Sequence, residues 1–187
     1  MNISRATIKQ FRELVFHKEV EVCGNLRMES ISSNNLKLYN IKEGREEEYA
    51  EGKFRGVCDH KNSSVIFHTH PISLYAYPSP EDIINVIKNH GRIVRSIIAT
   101  KWGLWDIKNT EKSNIYSPSC RDIFMTFLER NLGKIWYRTS IEGTSRDIDF
   151  GDMEFIRDVS KRIEKVIRIE IKLHTWGEVE NGIMLKK

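Results

Sequence analysis

Two histidines separated by one residue, His68 and His70, stand at the end of a short apolar run and are followed directly by Pro71. The run from Ser64 to His68 is rich in β-branched and aromatic residues, which predicts a buried strand. Side chains alternate between the two faces of a strand, so both imidazoles are expected to point to the same side. Proline cannot donate a hydrogen bond to a sheet, so the strand should stop there.

A helix start comes shortly afterwards, at Ser79-Pro80-Glu81-Asp82. Serine is a favoured N-cap residue, proline suits the first helical position, and acidic residues are favoured in the first turn. The apolar residues that follow predict a helix from about Pro80 to His90, ended by Gly91. A carboxylate at this helix start could complete a set of two imidazoles and one carboxylate, which is typical of catalytic zinc.

The other periodicities predict a mixed α/β chain. Ser4 should cap a first helix, and the charged segment 43–53 is expected to be a solvated loop. The remaining predicted elements are strands at 19–23, 36–41, 93–99, 104–107 and 168–173, a helix from Ser119 to about Leu132, and a helix from Asp152 to about Val166.

The chain has 187 residues, enough for one core, so we expect one domain over 1–187 in which 119–187 form a helical and strand extension. The net charge of +4 is mild and the charges alternate in sign, so nucleic acid is not an expected partner. No segment has the apolar length of a membrane span or a signal core. Three distant cysteines, Cys23, Cys58 and Cys120, do not indicate a disulfide framework, and we expect a reducing, cytoplasmic location.

Zinc-dependent hydrolysis also needs a base that takes a proton from water and hands it to the leaving group. Glu21 is the best candidate for this base, because it lies in a predicted strand and is followed by Val22-Cys23-Gly24. A carboxylate on that strand could reach the metal site without being a ligand.

Three motifs in order, Glu-x-Cys-Gly from Glu21, His-x-His-Pro from His68 and Ser-x-x-Asp from Ser79, resemble the signature of the JAMM (MPN-plus) zinc metalloproteases. That family includes deubiquitinating isopeptidases, and the resemblance covers about residues 19–107. It implies an α/β fold of the JAMM/MPN type, a curved mixed β-sheet flanked by helices. It also implies zinc-dependent hydrolysis of a peptide or isopeptide bond in a protein or peptide substrate, with ubiquitin-like conjugates among the candidates.

By the same resemblance, the zinc ligands would be His68, His70 and Asp82. Glu21 would be the general acid and base, and Ser79 would stabilise the oxyanion. Eleven residues separate His70 from Asp82, one more than the family usually has, so strict spacing selects Glu81 instead. The Ser-x-x-Asp relation selects Asp82, which we expect because an extra loop residue before Ser79 is easily absorbed.

Other interpretations of the chain stay open at this level. A non-catalytic protein of the same fold could serve as a scaffold or interaction module, and a metal-dependent hydrolase could act on another kind of bond. Tyr75 and Tyr77 could line a substrate groove or only pack. Cys58, Asp59 and His60 suggest a second metal site, although a surface turn is the favoured interpretation.

Overall fold

A computed structural model of the chain describes residues 1–30, 33–50, 53–57, 63–110 and 116–185. The helices are α1 (Arg5–His17), α2 (Pro80–Lys88), α3 (Arg121–Thr139), α4 (Phe150–Ile167) and α5 (Trp176–Val179). The strands are β1 (Asn2–Ile3), β2 (Val22–Met28), β3 (Asn35–Glu43), β4 (Arg45–Ala50), β5 (Lys53–Val57), β6 (Val65–Thr69), β7 (Arg95–Thr100), β8 (Gly103–Asn109), β9 (Ser140–Ile141), β10 (Thr144–Ser145), β11 (Ile169–Thr175) and β12 (Ile183–Met184).

Eight of these strands form one strongly curled, mixed sheet in the order β11-β8-β7-β6-β2-β3-β1-β12. The pairs β6–β7 and β1–β3 are parallel, and the other neighbours are antiparallel. The last third of the chain supplies β11 and β12, the two outermost strands of this sheet. The mixed α/β class with flanking helices is therefore as expected.

Helices cover both faces of the sheet. Along β6, Ile66 packs in the core beneath α2, α3 and α4, whereas Phe67 packs in the core beneath α1. This alternation places His68 on the same face as Ile66, the face that α2 covers. The parallel strands β6 and β7 are joined through α2, so the carboxyl end of β6 and the start of α2 meet at one edge.

Helix caps predicted from the sequence are present at two helices. The Ser4 side chain accepts a hydrogen bond from the backbone N–H of Thr7 at the start of α1. At α2, Ser79 and Asp82 form a reciprocal capping box, in which each side chain accepts a bond from the backbone N–H of the other. These short-range bonds depend only on neighbouring residues, which is why the sequence pattern predicts them.

The second strand differs from its predicted limits. It runs from Val22 to Met28 rather than 19–23, and Gly24 lies inside it instead of ending it. A Cβ at Gly24 would lie 2.5 Å from the carbonyl oxygen of Tyr39 and 2.7 Å from a ring carbon of Phe67. The glycine therefore permits a close approach of β2 to its neighbours, beside a shift in register between β2 and β3.

The predicted solvated loop at 43–53 is wrong. This segment contributes the end of β3, all of β4 and the start of β5, and β4 and β5 pair antiparallel with Glu47 opposite Arg55. Consecutive glutamates have low strand propensity, so the local pattern contains no strand signal. Pairing with the next segment supplies the backbone hydrogen bonds that the local sequence does not indicate.

Two helix starts in the last third were also predicted wrongly. Ser119 lies in a short 3-10 turn, Pro118–Cys120, and α3 begins after it and runs on to Thr139. The N-cap of α4 is Asp149, and Asp152 is the third helical residue of a second capping box. Asp152 is 1% exposed and is also ion-paired with Arg138 of α3 and with Arg146, so its carboxylate joins the start of α4 to the elements before it.

Gly103, at the turn between β7 and β8, should be the glycine least tolerant of a side chain. Its φ is +148°, and a Cβ there would collide with the carbonyl oxygen of His174 on β11. We expect Gly103→Ala to lower the free energy of unfolding by about 3 kcal/mol or more, through backbone strain and overpacking. Denaturant unfolding measures this change.

Gly133→Ala is the matched control for this prediction. Gly133 lies inside α3, and a Cβ there would meet no atom within 4 Å. This variant should raise the free energy of unfolding by about 0.5 to 1 kcal/mol, because alanine loses less backbone entropy in a helix. Equal effects of the two substitutions would contradict the assigned geometry at Gly103.

Candidate metal centre

The two histidines lie together at the carboxyl end of β6. His68 is within the strand, and the backbone N–H of His70 donates a hydrogen bond to the Ala99 carbonyl oxygen on β7 at 2.8 Å. The strand alternation therefore continues through His70, and both imidazoles lie on the α2 face. His68 is 7% exposed and His70 is 1% exposed, so neither is an ordinary surface histidine.

Asp82 joins them from the first turn of α2. Its Oδ1 atom lies 3.2 Å from His68 Nε2, and its Oδ2 atom lies 3.5 Å from His70 Nε2. The same carboxylate accepts the backbone N–H of Ser79 at 2.7 Å, so the capping box holds it in place. Glu81, the alternative that strict spacing would select, is exposed and is not part of this group.

The separations of these atoms fit a tetrahedral metal ion. Nε2 of His68 and Nε2 of His70 lie 3.2 Å apart. This separation is close to the 3.2 and 3.5 Å that separate these nitrogens from the carboxylate oxygens of Asp82. Ligand atoms about 2.0 to 2.1 Å from a tetrahedral zinc ion lie about 3.3 Å from one another. Within the described residues, this is the one group of three His, Cys, Asp or Glu side chains that could hold a metal ion.

A backbone carbonyl selects the tautomer of His70. Nδ1 of His70 lies 3.1 Å from the carbonyl oxygen of Tyr75. A carbonyl oxygen can only accept, so the ring carries its hydrogen on Nδ1 and leaves the Nε2 lone pair directed at the group. Metal-binding histidines commonly use such a partner, which fixes both ring orientation and tautomer.

Charge in the group is arranged to attract a cation. Burial raises the pKa of the Asp82 carboxyl, but the imidazoles of His68 and His70 outweigh this effect and hold that pKa well below its usual range. Burial lowers the pKa of His68, but Asp82 and, more weakly, Glu21 raise it above the ordinary value. Asp82 is therefore ionised, and its negative charge beside the two imidazoles favours binding of a cation.

Glu21 lies next to the group but is not one of its three members. It directly precedes β2, is partly buried, and its carbonyl oxygen accepts the backbone N–H of Gly44 at 2.7 Å. Cys23 pairs with His68, and extending this antiparallel register by two residues places Glu21 beside His70. The structure thus brings a carboxylate to the edge of the group, from the residue directly before β2 rather than from within the predicted strand 19–23.

Ser79 and the two tyrosines also lie near the centre. The Ser79 hydroxyl accepts the backbone N–H of Asp82 at 3.1 Å, and this bond leaves its own hydrogen able to donate. The Tyr75 ring meets the His70 ring edge to face at 5.1 Å, and Tyr77 lies 5.1 Å beyond Tyr75. Both tyrosines are half-buried, so part of each ring remains accessible beside the centre.

The Tyr75 carbonyl is the contact that the sequence analysis missed. Every residue carries a backbone carbonyl, so no residue type marks the one that holds His70. The sequence suggests the side chain of Tyr75 for a substrate groove, but it is the backbone carbonyl of Tyr75 that accepts the hydrogen bond from the imidazole.

The cysteines differ from expectation. The sequence does not indicate a disulfide framework, but Cys23 is buried and disulfide-bonded, whereas Cys120 is a free thiol. Distance along the sequence does not predict distance in a folded sheet, so the spacing of the cysteines does not show which of them can pair. The possible second metal site at Cys58, Asp59 and His60 lies outside the described residues.

Among the described residues, none of the helices combines the length and the apolar character that crossing a bilayer requires. A comparison with protein-family models finds no match for this chain, and neither does a comparison with curated proteins.

Proposed function

We propose that this chain is a zinc-dependent hydrolase of the JAMM type that cleaves a peptide or isopeptide bond in a protein or peptide substrate. The observation that carries the proposal is the convergence of His68, His70 and Asp82, with donor atoms 3.2 to 3.5 Å apart. The order of the motifs around Glu21 and Ser79 supports an amide bond as the target. A ubiquitin-like conjugate is one candidate substrate.

The three donors suit zinc by type as well as by distance, because imidazole and carboxylate ligands are both usual for this ion. Zinc bound there would supply Lewis acidity, which makes water a stronger acid and a carbonyl carbon a better electrophile. The chain's part is to turn the imidazole rings correctly, which the Tyr75 carbonyl does for His70.

Glu21 would move the proton. Hydrolysis of an amide needs a group that accepts a proton from water and then delivers it to the departing nitrogen. A carboxylate at the edge of the group, but outside the three donors, can do both without leaving a metal ion underliganded. The partly buried position of Glu21 keeps it within the electrostatic reach of His68.

Ser79 would stabilise the charge that develops on the carbonyl oxygen. Its hydroxyl is held at the helix start by the bond from the Asp82 N–H, which restricts the directions in which the hydroxyl hydrogen can point. A donor oriented before the reaction costs no reorganisation when the charge forms. The capping role and this catalytic role are compatible, since one uses a lone pair and the other uses the hydrogen.

Metal content and a set of cleavable substrates test the proposal. The protein is purified without chelators, its metal is measured by elemental analysis, and matched samples are stripped with a chelator and reloaded with zinc. We expect one equivalent of zinc and cleavage of a peptide or a ubiquitin-like isopeptide conjugate that disappears on stripping and returns with zinc. Cleavage in isotopically labelled water should place the label in the new carboxylate.

Two results would contradict this function. Protein that takes up no zinc, even when zinc is supplied, would favour the non-catalytic scaffold. Zinc-loaded protein that leaves every amide substrate intact, but cleaves an ester or phosphodiester included in the same set, would favour a metal-dependent hydrolase of another class.

A further inference from the structure

One peptide group beside the metal centre is hydrogen-bonded at both ends. The Tyr75 carbonyl oxygen accepts from His70 Nδ1 at 3.1 Å, and the Ala76 N–H donates to Ser145 Oγ at 2.9 Å. That carbonyl and that N–H belong to the same planar amide, in which they point in opposite directions. A change in the direction of one bond therefore turns the other, and the two bonds polarise each other through the amide.

The next carbonyl along the chain is held as well. The Ala76 oxygen accepts from the indole nitrogen of Trp105 on β8 at 2.9 Å, and both residues are almost completely buried. In the same loop, Ile72 and Leu74 are exposed, so the loop is anchored at Ala76 rather than along its whole length. This anchor is the part of the loop that sets the direction of the Tyr75 carbonyl.

Ser145 is itself fixed by residues outside the group of three donors. It is 2% exposed, lies in β10, and its carbonyl oxygen accepts from Lys101 Nζ at 2.7 Å. The following carbonyl, of Arg146, accepts from the indole nitrogen of Trp102 at 2.7 Å. The Ser145 hydroxyl is thus a buried acceptor whose position is set by the turn between β7 and β8.

We infer that Ser145 is a positioning residue of the metal centre, which orients the Tyr75–Ala76 peptide group so that its carbonyl holds the ring and tautomer of His70. The inference rests on the proposed metal-binding function. It extends that function to β10, a part of the chain that supplies no metal ligand. Loss of the Ser145 hydroxyl should weaken metal binding without removing a ligand.

Zinc affinity of the full-length Ser145→Ala protein tests this inference. Affinity is measured by competition with a fluorescent chelator, using zinc alone as the probe. We expect about a tenfold loss, the lower end of what removal of an outer partner of a metal ligand costs. Thr144→Ala is the matched control, because it removes an exposed hydroxyl from the same strand, and its zinc affinity should equal that of the parent.

Thermal unfolding of the metal-free variants separates positioning from a general loss of structure. Ser145→Ala should lose zinc affinity even in the temperature range where it is fully folded, and Ser145→Thr, which keeps a hydroxyl, should recover most of the affinity. If Ser145→Ala does not fold, nitrogen NMR of the zinc-loaded parent protein is used to find which ring nitrogen of His70 carries the hydrogen. His70 must then carry its hydrogen on Nδ1, and a hydrogen on Nε2 would overturn the inference.

The outcomes distinguish the inference from the function on which it rests. A parent protein that binds zinc, with Ser145→Ala binding it equally well, overturns the role of Ser145 and leaves the metal centre standing. A parent that binds no zinc removes the metal centre and this inference together.

Discussion

Replacing Glu21 with glutamine is expected to lower amide hydrolysis about 10²- to 10⁴-fold, the usual contribution of a general acid and base, while zinc content stays at the parent level. Glutamine keeps the size and polarity of the side chain but cannot take a proton from water. Glu21 is not among the three donors of the candidate metal group, so zinc binding should not depend on its charge. The measurement is the cleavage rate at saturating zinc, beside elemental analysis of the same sample.

Glu19→Gln is the matched control for this prediction. Glu19 is an exposed carboxylate two residues away, so the substitution makes the same change in net charge without altering the edge of the metal group. Its cleavage rate should equal that of the parent. Unchanged turnover in Glu21→Gln would remove Glu21 from the mechanism, and loss of zinc in that variant would make it a ligand instead of a base.

Replacing Asp82 with alanine is expected to weaken zinc binding by at least about 10²-fold, more than the loss of an outer partner costs, because one of three ligands is removed. His68→Ala should have a similar effect, since its Nε2 atom lies 3.2 Å from both other donor residues. Glu81→Ala is the control: Glu81 is exposed, adjacent in sequence, and outside the group. Chelator competition measures all three affinities on one scale.

Asp82 also caps α2, so loss of the carboxylate has a second effect that must be separated from the first. Asp82→Ala should lower the free energy of unfolding by about 1 kcal/mol through the broken capping box. Asp82→Asn retains an oxygen that can accept the Ser79 N–H, so it should keep most of that stability and still bind zinc poorly. If both variants bind zinc as tightly as the parent, Asp82 is not a ligand, and Glu81 becomes the candidate for the third ligand.

The successes and errors of sequence interpretation along this chain have a common physical basis. The cap at Ser4, the start of α2 at Ser79 and the alternation along β6 depend on residues within a few positions of one another, and all three are present. The strands β4 and β5 and the cap of α4 were predicted wrongly: the glutamates of β4 have low strand propensity, and Asp149 and Asp152 are both residue types that can cap a helix, so the local pattern does not select between them. Local propensity cannot represent a contact that only the folded chain makes.

The sequence by itself determined the residue types of the candidate centre and the two local elements that present them. Period-two alternation directs His68 and His70 to one face, and the capping box places a carboxylate at the start of α2. Only the tertiary structure decided that Asp82 rather than Glu81 joins the histidines, and that Glu21 lies beside them. It also decided that the Tyr75 carbonyl holds His70 and that the Ser145 hydroxyl binds the Ala76 N–H of the same peptide group. The physical reason is that strand register and backbone hydrogen bonds join segments far apart in the chain, and neither leaves a mark on the residue types involved.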